Sequence, residues 1–357
     1  MKMNRRSTLI RLSRWVGIGG GIACSILNAN SAFPFSPELR AFETEFLSMG
    51  SKMNLRWYDE RTESHEFVLT IARSISEKWV SILSDYEPDS EAMTVNRQAD
   101  AGDWVEVSAE LWEVIATCDE WNKKSNGAFD AALGSVTRLR RQKKLATAKQ
   151  WNEAKTACGW KLLDLDPGRQ AIRMQRPGVR FDFGAIGKGI VVDRISGELT
   201  QHGIERFVVN SSGNMRMGMP PPTSQGWPVA IDIPPEKTTD EPVEYCRMRL
   251  NRCGVATSGD RWQRFPDPEL DAIRTTEEIS SSHILDPKSL RGIRGHHNVT
   301  VIAPSATDAD AIATTTSVRI HADLPGWLDT IRRMMPDVQV LILSRSEATG
   351  EIHVRNS

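Results

Sequence analysis

Cysteine is scarce in this sequence, five in 357 residues. Setting aside Cys24 near the N-terminus, the spacing of Cys118, Cys158, Cys246 and Cys253 fits neither a zinc site nor a CxxC redox pair. All four read as buried small hydrophobes. There is no surplus of either charge: the formal net charge is −1, so no overall basic field exists to hold nucleic acid or an anionic membrane. The local basic cluster at 138–144 reads as a solvated helix face. Long hydrophobic runs are missing as well. The apolar stretch 15–27 is diluted with glycine and falls short of the ~20 residues that a spanning helix needs. Neither Gly-x-x-x-x-Gly-Lys-[Ser/Thr] nor Gly-x-Gly-x-x-Gly occurs, which excludes a Walker loop and the dinucleotide fingerprint. No internal repeat or interdomain linker divides the chain. What is present is the balance of a globular protein, 39% hydrophobic and 25% charged, long enough to bury a substantial core.

The N-terminus reads as an address. Arg5-Arg6 precede Ser7-Thr8-Leu9-Ile10, the mildly apolar stretch follows, and small residues at Ala29, Ser31 and Ala32 offer a cleavage site. Residues 1–32 are therefore expected to form a twin-arginine secretory signal, with residues 33–357 as one exported domain in the periplasm or cell envelope. The alternative is membrane association through a lipid on Cys24, although Gly21-Ile22-Ala23 ahead of it makes a poor lipobox.

Periodicity then places the elements. Residues 46–58 alternate as a strand interrupted at Gly50, and 68–83 repeat apolar residues at helical spacing. A second helix is expected at about 108–125, with Gly127 just past its end. Short strands follow at 162–165, 171–174 and 179–183, then a helix to Gly203 and a strand at 207–210. Further strands are expected at 227–233, 245–250, 298–302 and 338–343, with helices at 305–319 and 324–335. Strands and helices without strict alternation predict an α+β fold. The acidic, small-residue stretch 266–281 is expected to be a long loop.

The segment Phe181-Asp182-Phe183-Gly184-Ala185-Ile186-Gly187-Lys188-Gly189 followed by Asp193 packs three glycines around a lysine where a helix begins. Such a turn brings bare backbone and unpaired N–H groups to an anion and sets a positive charge beside it. Four positions separate Asp310 from Thr314, so on a helix their side chains share a face about 6 Å apart. A carboxylate and a hydroxyl there suit Mg²⁺, which prefers hard oxygen ligands. Histidine as a residue type titrates near neutrality, so His283 could take a proton from a hydroxyl; a structural histidine is the plainer reading. His296 and His297 are adjacent on an expected strand and point to opposite faces.

These segments occur in an ordered set. Tyr86-Glu87-Pro88-Asp89-Ser90-Glu91 stands ahead of Asn96, and Gly127-Ala128-Phe129-Asp130 precedes the glycine turn. Ala256-Thr257-Ser258-Gly259-Asp260, Ser282-His283-Ile284-Leu285-Asp286-Pro287, Thr300-Val301-Ile302-Ala303-Pro304 and Asp310-Ala311-Ile312-Ala313-Thr314 follow it. Together they resemble the FAD:protein FMN transferase (ApbE) family over nearly the whole exported chain. Departures are visible: Asn210-Ser211-Ser212-Gly213-Asn214 stands where the family has Asn-x-Gly-Gly-Asp, Gly187 where alanine is usual, and Lys288-Ser289-Leu290-Arg291-Gly292 delays the glycine expected after Pro287.

The resemblance implies a T-fold-like mixed sheet and helix domain with the flavin site in a central crevice. It implies Mg²⁺ held by Asp310, Thr314 and the Gly187 carbonyl. FAD, the substrate, would be bound by Tyr86, Asn96, Asp130, Lys188, Asp193, Thr257, Ser258, Gly259, Asp260 and His283, with His283 also the catalytic base. For Asp193 the residue pattern alone leaves a helix-dipole role open. The implied activity attaches FMN from FAD to a threonine of an acceptor flavoprotein and releases AMP. Hydrolysis of FAD to FMN and AMP is the first alternative, a non-catalytic flavin-binding protein the second.

Overall fold

The computed structural model describes residues 39–99, 102–142, 146–234, 241–259, 264–266, 280–346 and 349–356. The expected signal 1–32, Asp260 and nearly all of the loop 266–281 lie outside the described residues. Alternating strand β1 (Arg40–Ser48) turns at Met49-Gly50, both at positive φ, into β2 (Ser51–Asp59), and the two pair antiparallel throughout. Helix α1 (Ser64–Leu83) buries Val68, Ala72, Trp79, Ile82 and Leu83, the stripe its spacing predicts. Its start is tied to β2 by a buried relay in which Trp57 Nε1 donates to Ser64 Oγ at 2.8 Å and Ser64 Oγ to Asp59 at 2.6 Å.

Next come α2 (Glu91–Gln98), β3 (Val105–Glu106), α3 (Ala109–Lys124), α4 (Gly134–Arg141) and α5 (Ala148–Thr156). Ser90, Ser108 and Thr147 each cap a helix by accepting a backbone N–H in its first turn. Strands β4 (Leu163–Asp166) and β5 (Ala171–Met174) form a small sheet with β3. Helix α6 (Gly187–Gln201) leads into β6 (Arg206–Ser211) and β7 (Asn214–Met217). Then follow β8 (Trp227–Asp232), β9 (Glu244–Leu250), β10 (Gly254–Gly259), β11 (Arg264–Pro266), β12 (Ser280–Ser282), β13 (Leu285–Asp286), β14 (Arg291–Gly292) and β15 (His296–Ala303). The chain closes with α7 (Ala306–Arg319), α8 (Leu324–Met334), β16 (Gln339–Arg345) and β17 (Ile352–Asn356).

Eight strands make one antiparallel sheet in the order β1-β2-β6-β7-β10-β15-β16-β17. Successive residues face opposite sides, and each side has its own core. Leu55, Val209, Ala256, Val301 and Ile342 pack under α1, α6 and α7, whereas Met217, Val255 and Leu343 meet Trp227, Val229 and Ile231 of the β8–β9 hairpin. The result is the expected α+β fold. Among the described residues no helix is long and apolar enough to cross a membrane.

Three expectations need correction. Residues 179–183 are extended but join no sheet: Gly134 N–H donates to the Arg180 carbonyl, and Phe181 and Asp182 N–H donate to Asn96 Oδ1 and the Ala131 carbonyl. The basic run at 138–144 is not simply solvated, because Arg140 is buried and Arg141 is closed into ion pairs. Cys118 and Cys158 are buried as expected, but Cys246 and Cys253 are only half-buried; all four are free thiols. Burial pushes the Cys118 thiol up out of reach and Cys158 up to about 11, so neither is a nucleophile at neutral pH.

Candidate active site

Three elements meet at the glycine turn. Helix α6 starts at Gly187 with no side-chain cap. The N–H of Gly189 instead donates to Asp310 Oδ2, 3.2 Å away on α7. The two helices approach so closely there that a Cβ on Gly189 would lie 2.5 Å from the Ala306 carbonyl oxygen. Gly189 therefore serves helix packing. At Gly187 a Cβ would meet only ordinary contacts, 3.5 Å from Met49 Cε, so the glycine in place of alanine alters nothing sterically.

Asp310 is 5% exposed. Burial raises its carboxyl above the ordinary range, while the Lys188 charge and the Gly189 N–H pull it back and the neighbouring Asp193 adds to the rise. One turn further along α7, Thr314 Oγ1 lies 3.4 Å from Ser258 Oγ on β10, and the adjacent Thr257 Oγ1 is 2.9 Å from Thr300 Oγ1. Lys188, Gly187, Asp310, Thr314 and Ser258 are thus brought together. Among the described residues no group of three His, Cys, Asp or Glu side chains could hold a metal. The donor set that does exist here is one buried, charge-poor carboxylate beside hydroxyl and carbonyl oxygens. That fits a hard cation completing its shell with water or phosphate oxygens.

Other expected ligands are engaged elsewhere. Asp193 caps α7: Oδ1 accepts from Ala306 N–H at 3.0 Å, and Oδ2 from Thr307 N–H at 2.8 Å and its hydroxyl at 2.7 Å. Asn96 is 1% exposed, and its Oδ1 accepts from Phe181 N–H at 3.0 Å, fixing the segment that enters the turn. Asp130 accepts from the N–H groups of Ala132, at 2.7 Å, and Trp160, at 2.9 Å. These three carboxyl or amide groups each hold backbone in place. A Cβ on Gly259 would strike Asn298 Oδ1 at 2.3 Å, so that glycine accommodates the neighbouring strand. Asp260 lies outside the described residues.

Tyr86 is 68% exposed with the Arg141 guanidinium 4.8 Å above its ring. Arg141 also bridges Asp85, at the end of the α1 turn, and Asp182, at 2.9 Å. Asp182 Oδ1 in turn accepts from Gly184 N–H at 2.8 Å. Burial and the nearby Asp182 raise the Asp85 carboxyl, with Arg141 opposing them. Sequence reasoning missed this triad. Its signal was a basic run whose helix has a buried face. Beside it a groove of about 600 Å³ runs between the β1–β2 turn, α1 and residues 87–90.

His283 is half-buried between β12 and β13. Arg140 Nη2 donates to the Ser282 carbonyl at 3.0 Å and Ile293 N–H to the Ile284 carbonyl at 2.9 Å, so both neighbours of His283 are anchored. After Pro287 the turn closes with Leu290 at φ +56°, the left-handed position that a glycine would occupy. At the β6–β7 turn Ser212 and Gly213 both take positive φ, and Ser211 Oγ and Asn214 Oδ1 are buried without a hydrogen-bond partner among the described residues.

The ApbE family model matches residues 49–342. The chain belongs to the ApbE family. An FAD:protein FMN transferase of Haemophilus influenzae is 28% identical over 282 residues, covering 75% of this chain and 77% of that protein. One from Salmonella typhimurium is 29% identical over 240 residues, with 64% of each chain covered, just under two thirds of that relative's length. In three dimensions the flavin transferase ApbE from Vibrio cholerae aligns with a TM-score of 0.75 at 21% identity, covering 90% of this chain and 98% of that one. The likeness to this structure is one of fold. Within the ApbE family, the cluster at Gly187, Lys188, Asp310, Thr314 and Ser258 is the candidate active site of this chain.

Proposed function

We propose that this chain is an Mg²⁺-dependent FAD:protein FMN transferase that attaches FMN from FAD to a threonine of an acceptor flavoprotein. The carrying observation is Asp310: a carboxylate buried against the start of α6, with Lys188 beside it, in a chain whose relatives are named FAD:protein FMN transferases. A bound Mg²⁺ would supply positive charge to the pyrophosphate oxygens, held by Asp310, Thr314 and the Gly187 carbonyl. Lys188 adds a second charge at the phosphates. The acceptor hydroxyl forms a bond to the FMN-side phosphorus and loses its proton to His283; the pyrophosphate P–O bond breaks, and AMP leaves with the electron pair. Ser258 and Thr257 lie on β10 where the nucleotide would pass, and Tyr86 is free on its outer edge to meet the flavin. Arg5-Arg6 and the weakly apolar stretch behind them support export of the folded protein to the periplasm or cell envelope.

The test incubates purified protein with FAD, Mg²⁺ and an acceptor domain carrying a threonine flavinylation motif, and follows AMP release and acceptor mass. Equal amounts of AMP and FMN-modified acceptor are expected. AMP with free FMN and an unmodified acceptor would make the enzyme a pyrophosphatase. FAD that stays bound and intact would make it a flavin-binding protein.

A further inference from the structure

Away from the glycine turn, a second set of donors converges just past the end of α7. The Nε2 atoms of His297, on β15, and His321 lie 3.2 Å apart. Both face the carbonyl oxygen of Arg294, at 3.1 Å and 2.8 Å respectively. The imidazole planes are tilted 61° to one another, so the rings do not stack. Nitrogen ligands about 2.0–2.1 Å from a tetrahedral zinc ion lie about 3.3 Å apart, and three donors with edges of 2.8–3.2 Å span nearly one face of such a tetrahedron.

We propose that His297, His321 and the Arg294 carbonyl form a binding site for a borderline divalent transition ion of the zinc class. Imidazole nitrogen selects such ions, in contrast to the oxygen set around Asp310. The surroundings meet the further needs of a ligand pair. An ion would replace the hydrogen bond that His297 Nε2–H gives the Arg294 carbonyl; the ring proton then sits on Nδ1, 3.0 Å from Ser344 Oγ, where its N–H can donate, the outer contact that orients metal-bound histidines. Gly295, at φ +83°, leaves the approach to Nε2 open, since a Cβ there would sit 2.6 Å from it. His297 is 9% exposed whereas His321 is exposed, so one side is rigid and the other open to water for the remaining position. His321 is eleven residues beyond Asp310, about 16 Å along the helix direction, so the two cation sites are separate. An ion here would clamp residues 294–297, which follow the His283 loop, to the end of the helix that carries Asp310.

The experiment titrates Zn²⁺ by calorimetry into the full chain, without a histidine tag, stripped with EDTA and then saturated with Mg²⁺. One Zn²⁺ per chain is expected, and Co²⁺ in its place should give tetrahedral visible absorption. His321→Ala, at an exposed position, should keep the fold by circular dichroism, lose the Co²⁺ band and bind Zn²⁺ at least about tenfold more weakly. Ser344→Ala should weaken Zn²⁺ binding in the same direction without touching the ion, and serves if His297→Gln fails to fold. Asp310→Ala should leave Zn²⁺ binding unchanged. The proposal is overturned if no Zn²⁺ binds, if binding survives His321→Ala at full affinity, or if Asp310→Ala alone removes it.

Discussion

Burial alone would raise the Asp59 carboxyl, but hydrogen bonds from the Arg61 guanidinium and the Ser64 hydroxyl outweigh it and hold the group below the usual carboxylate range. A carboxyl lowered in the folded state contributes stability above its unfolded value, and that stability is lost as pH falls through the lowered folded value. Asp59→Asn should therefore cost ~1–2 kcal/mol at neutral pH, and the difference from the unaltered protein should shrink as pH falls below the usual carboxylate range in urea denaturation. A difference that stays constant across that range would assign the effect to packing. His283 carries the chemical prediction at this scale. General-base help contributes about 10²–10⁴ in rate, so His283→Asn should slow FMN transfer by that factor with FAD affinity nearly unchanged. An unaltered transfer rate would remove His283 from the chemistry.

Helix α7 is the element on which the candidate site depends, since it presents Asp310 and Thr314 and its first turn is held by a residue of another helix. Asp193 satisfies two backbone N–H groups of that turn as well as the Thr307 hydroxyl. Caps of this kind contribute about 0.5–2 kcal/mol. Asp193→Ala should lower the unfolding free energy by that amount or somewhat more, in the absence of FAD, because three acceptor contacts go at once. A loss of FAD affinity with stability unchanged would instead restore Asp193 to the nucleotide. The crossing of α6 over α7 at Gly189 acts in the same direction. Packing fixes the distance between Lys188 and Asp310 more tightly than either side chain could alone.

For the whole molecule, a ligand that binds only the folded chain stabilises it by mass action, about 2.7 kcal/mol at a hundredfold excess over Kd. FAD with Mg²⁺ should raise the thermal midpoint beyond FAD alone, and Asp310→Ala should abolish the Mg²⁺ increment. An equal increment in that variant would return Asp310 to a plain buried carboxylate. Export is testable at the same scale: changing Arg5 and Arg6 to lysine should retain the precursor in the cytoplasm, and undiminished transport would reject the twin-arginine reading.

Local pattern carried a good part of this. The α1 stripe, the α3 face and the strands β8, β9, β15 and β16 were legible because periods of 3.6 and 2 record which side of an element is buried. So was the pairing of Asp310 with Thr314, a property of one helix. Short elements such as α2, α4 and α5 escaped, since eight or nine residues offer too few turns for a period to emerge. The roles of Asp193, Asn96 and Asp130 could not be read either. Each is a polar side chain in a motif with a backbone partner far along the chain, 113 residues away for Asp193 and Ala306, 85 for Asn96 and Phe181 and 30 for Asp130 and Trp160. The sequence by itself determined which residue types stand in which local conformation. Only the tertiary structure decided which carboxylates are already satisfied by protein and which, like Asp310, remain short of positive charge, because that depends on what packing brings beside them.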